Sequence, residues 1–564
     1  MMTLRQFGFA LLLAACIAPL SAAQKNVLLI IADDVGVDMI GAYEEHPLPA
    51  TTPVIDQLAA DGVLFRNAWS LPTCSPTRAA MLTGRLPYQS GIGRAMFPVA
   101  DEYEVALAED TIPELLGPQW TTAAIGKWHM HSDILSGITH PLLQGFDTHV
   151  GAPWNLPDGT PQSYFDFYKS IDGTLVRSTT YATTDSVNDT IDFIAENQDP
   201  WFVWLAFNTP HTPWHDPPQD LHTESVPVHP GVDPPTAVRA MIQAMDTEIG
   251  RLLASIDPDV LANTVVIFIG DNGTHPQATT APFDPAHAKA SIFEGGINVP
   301  LIISGRGVAK GFQSNGLVQA TDIFATVLDI AGVTPPAGTS GVSLTPYFED
   351  PEQTSLRPWV YSERFLVNGF GPYIQHQRAV RDRRHKLIRN VKDGIAPISQ
   401  RFYDLTSDPF ETDNLLTGEL SQAQQSSFEQ LNGLLATLVP PSLHLGFAKA
   451  FPGGVPQLKA GSTLLAGDTL KLSLSSAPKN STALTIIGYG TAKIPFHGGV
   501  LVPDPTEPGL MLSLATDSQG HFDLLSTWPG GLPSGFQLFL QCWIPFTTKS
   551  AGWAASNAVQ LTTP

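Results

Sequence analysis

Short apolar runs rich in β-branched residues recur along the first half of the chain, separated by segments long enough for helices. The run at 26–31 is typical of a strand that is buried on both faces of a parallel sheet. Comparable runs lie at 122–125, 201–207, 264–269 and 300–303, and the predicted helices between them lie at 54–61, 186–196 and 236–256. This alternation predicts an α/β fold in which helices pack on both faces of a mainly parallel sheet.

The pattern changes to short strands after about residue 359. Runs at 378–381 and 384–388 suggest a hairpin, and a strand at 402–405 and a helix near 421–438 follow. We interpret this part as a small antiparallel sheet with one helix. Proline and glycine then interrupt the chain, and short alternating strands continue to its end. The predicted units are an α/β domain at 24–345, an α+β subdomain at 346–440, a linker at 441–456 and a separate all-β sandwich at 457–564.

The chain is acidic, with 53 Asp and Glu residues against 30 Lys and Arg residues and a formal net charge of -23. Its 564 residues exceed what one hydrophobic core usually serves, so more than one domain is expected. The charge argues against nucleic-acid binding and against a broad attraction to anionic membranes. An anionic substrate must therefore be held by a local cluster of basic residues.

Residues 1–23 have the features of a secretory signal. They contain Arg5 near the start, an apolar run at 7–17 and small residues at 21–23, so we expect cleavage and export to a periplasmic or extracellular location. Residues 13–16 also resemble a lipoprotein box, which would make Cys16 a lipidated anchor to a membrane. Both routes fit the sequence. No later segment is apolar for long enough to span a bilayer.

Oxygen-bearing side chains directly follow two of the predicted strands. Asp33 and Asp34 come after the first run, and Asp271 and Asn272 come after the fourth. Ligand sites in such sheets lie at the carboxyl ends of strands, and paired acids repel each other unless a cation is present. Together these side chains form an all-oxygen ligand set, which suits calcium or magnesium and not zinc. Either pair alone would be explained as well by turn formation or helix capping.

Cys74 lies in a setting that ordinary packing does not require. It opens the sequence C-S-P-T-R-A-A-M-L-T-G-R at 74–85, in which Arg78 stands four residues later. Cys16 belongs to the signal, so a chain released from it keeps only Cys74 and Cys542. So few cysteines do not build a disulfide scaffold. The alternatives to a reactive cysteine are a buried structural thiol and a bridge between Cys74 and Cys542.

Basic residues stand in three further motifs. Lys127 and His129 lie in G-K-W-H, two apart on a segment predicted to be extended and therefore on one side of it. His211 lies in N-T-P-H-T-P-W directly after a predicted strand, and Lys289 precedes A-S-I-F-E-G-G. Any one of these would by default be a surface lysine or a histidine with a structural role. Because they follow different strands, they can converge on one site.

The cysteine motif, G-K-W-H, P-H-T-P and K-A-S-I-F-E-G-G occur in an order that resembles the sulfatase family, formylglycine-dependent enzymes of the alkaline phosphatase superfamily. The segment at 402–415 is similar to the C-terminal subdomain of that family, and its acidic residues are expected to form turns and caps. The resemblance implies that a formylglycine-generating enzyme oxidises Cys74 to an aldehyde, whose hydrate is the nucleophile. The end of the chain looks like an accessory β-domain appended to many exported bacterial proteins.

The resemblance also implies roles for individual residues. The implied metal ligands are Asp33, Asp34, Cys74, Asp271 and Asn272, with calcium preferred to magnesium. The implied catalytic residues are Cys74, Arg78, Lys127, His129, His211 and Lys289. In that scheme Asp271 assists the attacking hydroxyl, while Lys289 and His211 act on the leaving oxygen. His129 helps to deprotonate the second hydroxyl, and Lys127 neutralises the sulfate oxygens.

The expected function is hydrolysis of a sulfate ester on a small molecule or a glycan. One alternative is a phosphate or phosphonate ester hydrolase with the same fold and nucleophile. A second alternative, of a different class, is an inactive surface binding protein. The histidines outside the motifs are expected in loops or in the substrate pocket; they are His131, His140, His149 and His215.

Overall fold

The structure is a computed structural model of the chain. It describes residues 26–563 apart from the short segments 98, 102, 158–160, 198–199, 228–232, 370–372, 393–398, 439–441, 462–463, 465–466, 468, 507–508, 534 and 548–550. The predicted signal and Cys16 lie outside the described residues. Within the part of the chain that is described, no helix combines the length and the apolar character needed to cross a membrane.

Ten strands of the described chain form one large mixed sheet. They are β1 (Asn26–Ala32), β2 (Gly62–Trp69), β3 (Thr121–Gly126), β4 (Thr148–Gly151), β5 (Phe167–Ile171), β6 (Thr174–Ser178), β7 (Trp201–Ala206), β8 (Thr264–Gly270), β9 (Leu301–Gly305) and β10 (Phe312–Gln319). Their order is β10-β2-β9-β8-β1-β7-β3-β4-β5-β6. The central strands β8, β1, β7 and β3 are parallel, whereas β9 runs antiparallel to β2 and β8.

Helices cover both faces of this sheet. The α-helices are α1 (Pro53–Ala60), α2 (Cys74–Thr83), α3 (Pro87–Ser90), α4 (Ile112–Leu116), α5 (His140–Leu143), α6 (Ala182–Glu196), α7 (Pro234–Ser255), α8 (Pro258–Ala262), α9 (Glu294–Ile297), α10 (Thr321–Ile330), α11 (Pro346–Glu349) and α12 (Gln422–Thr437). Leu29 and Ile31 of β1 pack in one core with α2 and α10, while Leu28 and Ile30 pack in another with α1, α6 and α7. Both faces of the strand are buried, which explains its continuous apolar run. The predicted α/β fold is confirmed.

A smaller antiparallel sheet follows the main one. Its strands, in spatial order, are β11 (Val360–Leu366), β12 (Gln375–Arg381), β13 (His385–Lys392) and β14 (Ser399–Asp404). Strands β12 and β13 form the predicted hairpin, and α12 packs against the sheet through Leu431 and Leu435. Strand β11 lies next to the carboxyl end of β2, where the Ser362 hydroxyl donates to the Ser70 carbonyl at 3.0 Å. The small sheet with one helix is therefore as predicted.

The C-terminal part is all β. Its strands are β15 (Ser442–Gly446), β16 (Gln457–Gly461), β17 (Thr469–Ser475), β18 (Thr482–Gly488), β19 (Thr491–Phe496), β20 (Gly499–Pro503), β21 (Leu510–Ala515), β22 (Phe522–Thr527), β23 (Gln537–Thr547), β24 (Ala551–Ala555) and β25 (Ala558–Thr562). The sheets β15-β25-β23-β18-β21 and β16-β17-β22 share one core, which contains Leu472 and Leu540. Strand β15 falls inside the segment predicted as a linker and pairs with β25. Local composition does not reveal such a pairing between distant segments.

Candidate active site

The candidate site lies at the carboxyl ends of the adjacent strands β8, β1, β7 and β3. Asp33 and Asp34 follow β1, Lys127 follows β3, His211 lies in the loop after β7, and Asp271 follows β8. Each strand is a buried apolar run that ends where polar residues begin, so one edge of the sheet collects these side chains. Asp33, Lys127 and Asp271 are buried, and charges interact more strongly there than they do in water.

Cys74 is the first residue of α2 and lies at the same edge. Its Sγ and single carboxylate oxygens of Asp33 and Asp271 lie within 4.8 Å of one another. Burial raises the pKa of the Cys74 thiol to about 11, so the unmodified thiol is protonated at neutral pH and is a weak nucleophile. A bridge to Cys542 is excluded, because both thiols are free and Cys542 Sγ lies 3.2 Å from Oγ1 of Thr485.

The oxygen-bearing side chains leave atoms available for a cation. Oδ1 of Asp33 and Oδ1 of Asn272 are buried without a hydrogen-bond partner among the described residues. Asn272 Nδ2 donates to Oδ1 of Asp34 at 2.8 Å, and the Asp34 backbone N–H donates to Oδ1 of Asp271 at 3.2 Å. A buried acceptor without a donor costs free energy, and a hard divalent cation would satisfy both oxygens. Asp33, Cys74 and Asp271 therefore offer a cluster of atoms that fits a metal ion, whereas Asp34 is bonded to Asn272 and Lys289.

Two buried cations balance two of the acids. Lys127 Nζ is ion-paired with Asp33. Arg78 Nε donates to Oδ2 of Asp271 at 2.9 Å, and its Nη1 donates to the Lys127 carbonyl at 2.7 Å. Burial alone would raise the pKa of Asp33, but the charge of Lys127 and of other nearby basic groups holds that pKa below its ordinary value. Burial and the charge of Asp33 raise the pKa of Asp271, as expected for two carboxyls in one site.

Lys289 reaches the site from the loop between β8 and β9. Its Nζ lies 2.6 Å from Oδ1 of Asp34, and its backbone N–H donates to the Thr274 carbonyl at 3.0 Å. Burial would lower the pKa of Lys289, but the charge of Asp34 and other nearby groups raises it above its ordinary value. The lysine therefore remains charged at neutral pH.

The two predicted histidines each keep one ring nitrogen available. His129 Nε2 lies 2.9 Å from the Met96 carbonyl; a carbonyl only accepts, so the neutral ring carries its proton on Nε2 and Nδ1 is an acceptor. That Nδ1 is buried without a partner among the described residues. Burial and the Lys127 charge lower the pKa of His129 well below its ordinary value. His211 Nδ1 lies 3.0 Å from the Thr212 carbonyl, which leaves its Nε2 available by the same reasoning.

The segment that holds Lys127 and His129 is not the regular extended segment that was predicted, because left-handed backbone at Gly126 and His129 interrupts it. Strand β3 ends at Gly126, which has a φ of 87°, and His129 has a φ of 60°. A Cβ at Gly126 would lie 2.1 Å from the Ala206 carbonyl oxygen, so the close approach of β7 requires glycine at this position. Both side chains still lie near Asp33.

Two histidines without a predicted role lie in the core behind the site. His140 Nδ1 accepts from the Trp128 indole at 3.0 Å, and its Nε2 lies 2.8 Å from the Val105 carbonyl. The ring of His149 lies 6.3 Å from that of Trp128, and neither of its nitrogens has a hydrogen-bond partner in the described part. Burial lowers the pKa of His140 to about 4 and that of His149 to about 3. Their placement in loops or in a substrate pocket is therefore wrong.

These low pKa values predict a loss of stability in acid. An unfolded histidine takes up a proton near pH 6.5, whereas folded His149 takes one up only near pH 3, so proton uptake favours the unfolded state as the pH falls through that window. Between about pH 7 and pH 5 we expect His149 to account for about 2 kcal/mol of lost unfolding free energy.

Denaturant titrations of the wild type and His149→Phe at the two pH values measure this loss. The variant cannot be protonated at this position and should lose about 2 kcal/mol less than the wild type. The matched control is His521→Gln, at an exposed position, which should keep the acid dependence of the wild type. Equal acid dependence in all three proteins would contradict the assignment.

A buried ion network joins the Lys289 loop to the smaller sheet. Lys386 Nζ lies 3.0 Å from Oε1 of Glu294 and 2.9 Å from Oε1 of Glu411, and 4.9 Å from the centre of a Trp69 ring. Glu294 is the first residue of α9, five residues beyond Lys289. Burial raises the pKa of Glu411 to about 7. The prediction that the acids of 402–415 form turns and caps holds for Glu411, whose carboxylate accepts from the backbone N–H of Glu294 at the start of α9. The sequence did not predict its second partner, Lys386 of β13.

Family comparisons match the part of the chain that contains the site. The model of the sulfatase family matches residues 25–333, more than half of the chain. The model named N-sulphoglucosamine sulphohydrolase, C-terminal, matches residues 286–436. This chain belongs to the sulfatase family and is a sulfuric ester hydrolase.

Curated relatives agree with this membership. The chain is 29% identical to N-acetylgalactosamine-6-sulfatase of Canis lupus familiaris over 412 residues, which are 65% of this chain and 75% of the relative. It is 28% identical to an ulvan-active sulfatase of Formosa agariphila over 74% of this chain and 82% of the relative. It is also 28% identical to arylsulfatase A of Bos taurus over 80% of this chain and 94% of the relative.

Solved structures share the fold. The structure of Ps i-CgsB in complex with k-i-k-neocarrahexaose has a TM-score of 0.61 and 24% identity, and the match covers 73% of this chain and 92% of the other. The structure of BT4656 in complex with D-glucosamine-2-N,6-O-disulfate has a TM-score of 0.58 and 20% identity over 73% of this chain and 98% of the other. At these identities the likeness concerns the fold alone.

Proposed function

We propose that this protein is an exported sulfatase that cleaves a sulfate ester on a carbohydrate, with formylglycine made from Cys74 as the nucleophile. The observation that carries the proposal is the convergence of Cys74 with Asp33, Asp271 and Lys127 at one buried point. The carbohydrate is supported by the names of two relatives, N-acetylgalactosamine-6-sulfatase and ulvan-active sulfatase, and by the saccharides named in two similar structures.

Calcium is the metal we propose, with magnesium as the alternative. Asp33, Asp34, Asp271 and Asn272 would hold it together with an oxygen of the modified residue 74. Six or more oxygen ligands at flexible distances suit calcium, whereas magnesium demands a near-ideal octahedron. When bound, the ion would make a nearby hydroxyl more acidic and would balance negative charge on the sulfate.

Two different side chains near residue 74 accept the two protons that the hydrate loses. A hydrated aldehyde supplies two hydroxyls on one carbon, of which one attacks sulfur and the other later expels sulfate, so no attacking water is needed. Asp271 takes the first proton, because its carboxylate is close to residue 74. His129 takes the second proton on Nδ1, the acceptor that has no partner. Arg78 orients Asp271 and the hydrate from the buried side.

The basic residues act on the sulfate and on the leaving oxygen. Lys127 neutralises the charge that builds on the sulfate oxygens in the transition state. Lys289 and His211, on the opposite side from the nucleophile in this scheme, stabilise the leaving oxygen, and the charged Lys289 supplies the proton that the leaving alcohol takes up. Both basic groups lie near Asp33 and Asp34, so a bound substrate completes an arrangement of alternating charges.

The proposal of export rests on the signal-like residues 1–23. The chain would either be released after cleavage of the signal or be anchored to a membrane through a lipid on Cys16. Secretion suits a substrate too large to enter a cell, such as a sulfated polysaccharide. The accessory β-domain, for which we propose a role in binding or spacing, fits the same setting.

A comparison of kcat/KM for aryl sulfates and aryl phosphates tests the proposed reaction. The protein is produced together with a formylglycine-generating enzyme and assayed with matched 4-nitrophenyl esters. We expect kcat/KM to be at least about a hundredfold higher for the sulfate. A site that is complementary to the transition state of sulfate ester cleavage should bind the transition state of a phosphate ester less tightly. A preference for phosphorus would favour the phosphate or phosphonate hydrolase. Absence of turnover with both esters and with sulfated glycans would favour an inactive binding protein.

A further inference from the structure

We propose that Arg364 forms a second anion site beside the catalytic residues, which binds a sulfate or carboxylate group that the substrate carries in addition to the ester that is cleaved. This inference rests on the proposed function and names a narrower substrate class, a multiply anionic carbohydrate. Neither the sequence motifs nor the scheme above uses Arg364.

The position of Arg364 follows from a short chain of hydrogen bonds. Arg364 lies on β11, and its Nη1 donates to the Ala290 carbonyl at 2.9 Å. The Ala290 backbone N–H donates to the Pro72 carbonyl at 2.8 Å. Ala290 follows Lys289 directly, and Pro72 lies two residues before Cys74. The guanidinium group is therefore beside the two backbone segments that hold the nucleophile and the leaving-group lysine.

The charge of Arg364 has no counterion within the described residues. No carboxylate there lies within 4.0 Å of it, and its Nε is buried without a hydrogen-bond partner. The preceding Glu363 does not neutralise it, because consecutive side chains of a strand point to opposite faces; Glu363 instead accepts from the Tyr88 backbone N–H and pairs with His376. Arg364 is only half-buried, so a solute can reach it.

A second arginine strengthens the local positive charge. Phe365 donates its backbone N–H to the Gly93 carbonyl at 3.2 Å, which brings the neighbouring Arg94 close to β11. Burial and the charge of Arg94 lower the pKa of Arg364. Arg94 has its own acid, since its Nη2 lies 2.5 Å from Oδ1 of Asp101, whereas Arg364 has none. Of the two arginines, Arg364 is therefore the one without a counterion among the described residues.

A half-buried arginine without a counterion favours an anionic ligand. The site cations Arg78, Lys127 and Lys289 already face site carboxylates, whereas Arg364 bonds only a neutral carbonyl. Holding a partly buried cation without a counterion costs free energy, and it does so here in a protein with a net charge of -23. The planar guanidinium matches the paired oxygens of a carboxylate or sulfate.

The test compares substrates that differ by one negative charge. The meta- and para-carboxyphenyl sulfates are matched with their methyl esters, and kcat/KM is measured for each with the formylglycine-bearing enzyme. We expect the wild type to prefer the carboxylates, and Arg364→Gln to lower that preference about ten- to a hundredfold. Arg364→Lys keeps the charge and should restore part of it. Arg239→Gln removes an arginine that already has a counterion, Glu224, and should keep the full preference.

Two results would overturn the inference. If Arg364→Gln lowers kcat/KM equally for carboxylates and esters, Arg364 serves only to hold the Ala290 carbonyl. If the preference is absent in the wild type or unchanged in the variant with both positional isomers, no anion binds there.

A binding measurement separates this failure from failure of the proposed function. If the wild type hydrolyses none of the four compounds, calorimetry with the Cys74→Ala protein still compares their affinities, with and without Arg364→Gln. Tighter binding of the carboxylates that depends on Arg364 supports the anion site in a protein that is not a sulfatase of these esters. Equal affinities overturn the anion site.

Discussion

Cys74→Ala should abolish hydrolysis of aryl sulfates, with kcat lowered at least about 10⁴-fold. Alanine cannot be converted to formylglycine, and no other described nucleophile accompanies Asp33 and Asp271 in the one buried metal-ligand cluster found among the described residues. The remaining basic groups can bind the ester but supply no attacking atom. Steady-state kinetics with the enzyme made beside a formylglycine-generating enzyme measures the effect.

Cys542→Ala is the matched control, since Cys542 is the other free buried thiol of the described chain. It lies in the core of the C-terminal sheets, so its loss should lower stability slightly and leave kcat unchanged. Turnover by Cys74→Ala within tenfold of the wild type, in a sample of equal folded fraction, would contradict the assignment of the nucleophile.

Lys386→Met should lower the free energy of unfolding by about 3–5 kcal/mol, the cost of removing one partner from a buried ion pair. Methionine has a similar volume but leaves Glu294 and Glu411 facing each other without the charge that stabilises both. Glu411 would then have to take up a proton, as its raised pKa of about 7 already favours. Denaturant titration at neutral pH measures the change.

A surface lysine provides the control for this substitution. Lys310 pairs with Asp61 at 3.2 Å, and its side chain is 72% exposed, so Lys310→Met should cost less than about 1 kcal/mol. Equal effects of the two substitutions would show that the buried network contributes nothing beyond a surface pair.

The Lys386 variant should also lower kcat at temperatures where it is folded, because Glu294 positions the loop of Lys289.

The central strands were predictable because both their faces are buried. Residues 26–31 and 264–269 are continuous apolar runs, and they correspond to β1 and β8. Strand β2 escaped prediction because Arg66 and Asn67 interrupt its apolar run. These residues lie near the edge strand β10, where the Arg66 side chain donates to Gln313 at 3.1 Å. Polar residues next to a sheet edge thus interrupt the apolar pattern by which a buried strand is recognised in the sequence.

The candidate site was predictable as far as its residues belong to short motifs at strand ends. Asp33, Asp271 and Lys127 follow parallel strands of one sheet, so local pattern and fold class together predict that they lie at the same edge. Arg364 and Lys386 could not be found in that way. Each contacts a residue more than 70 positions away, and only the docking of the smaller sheet on the main one creates those contacts.

Mass spectrometry of the peptide that contains residue 74, taken from exported and active protein, is the most direct test of the account. The account predicts the mass of formylglycine at this position, with specific activity proportional to the converted fraction across preparations. An intact cysteine thiol in fully active protein would contradict it.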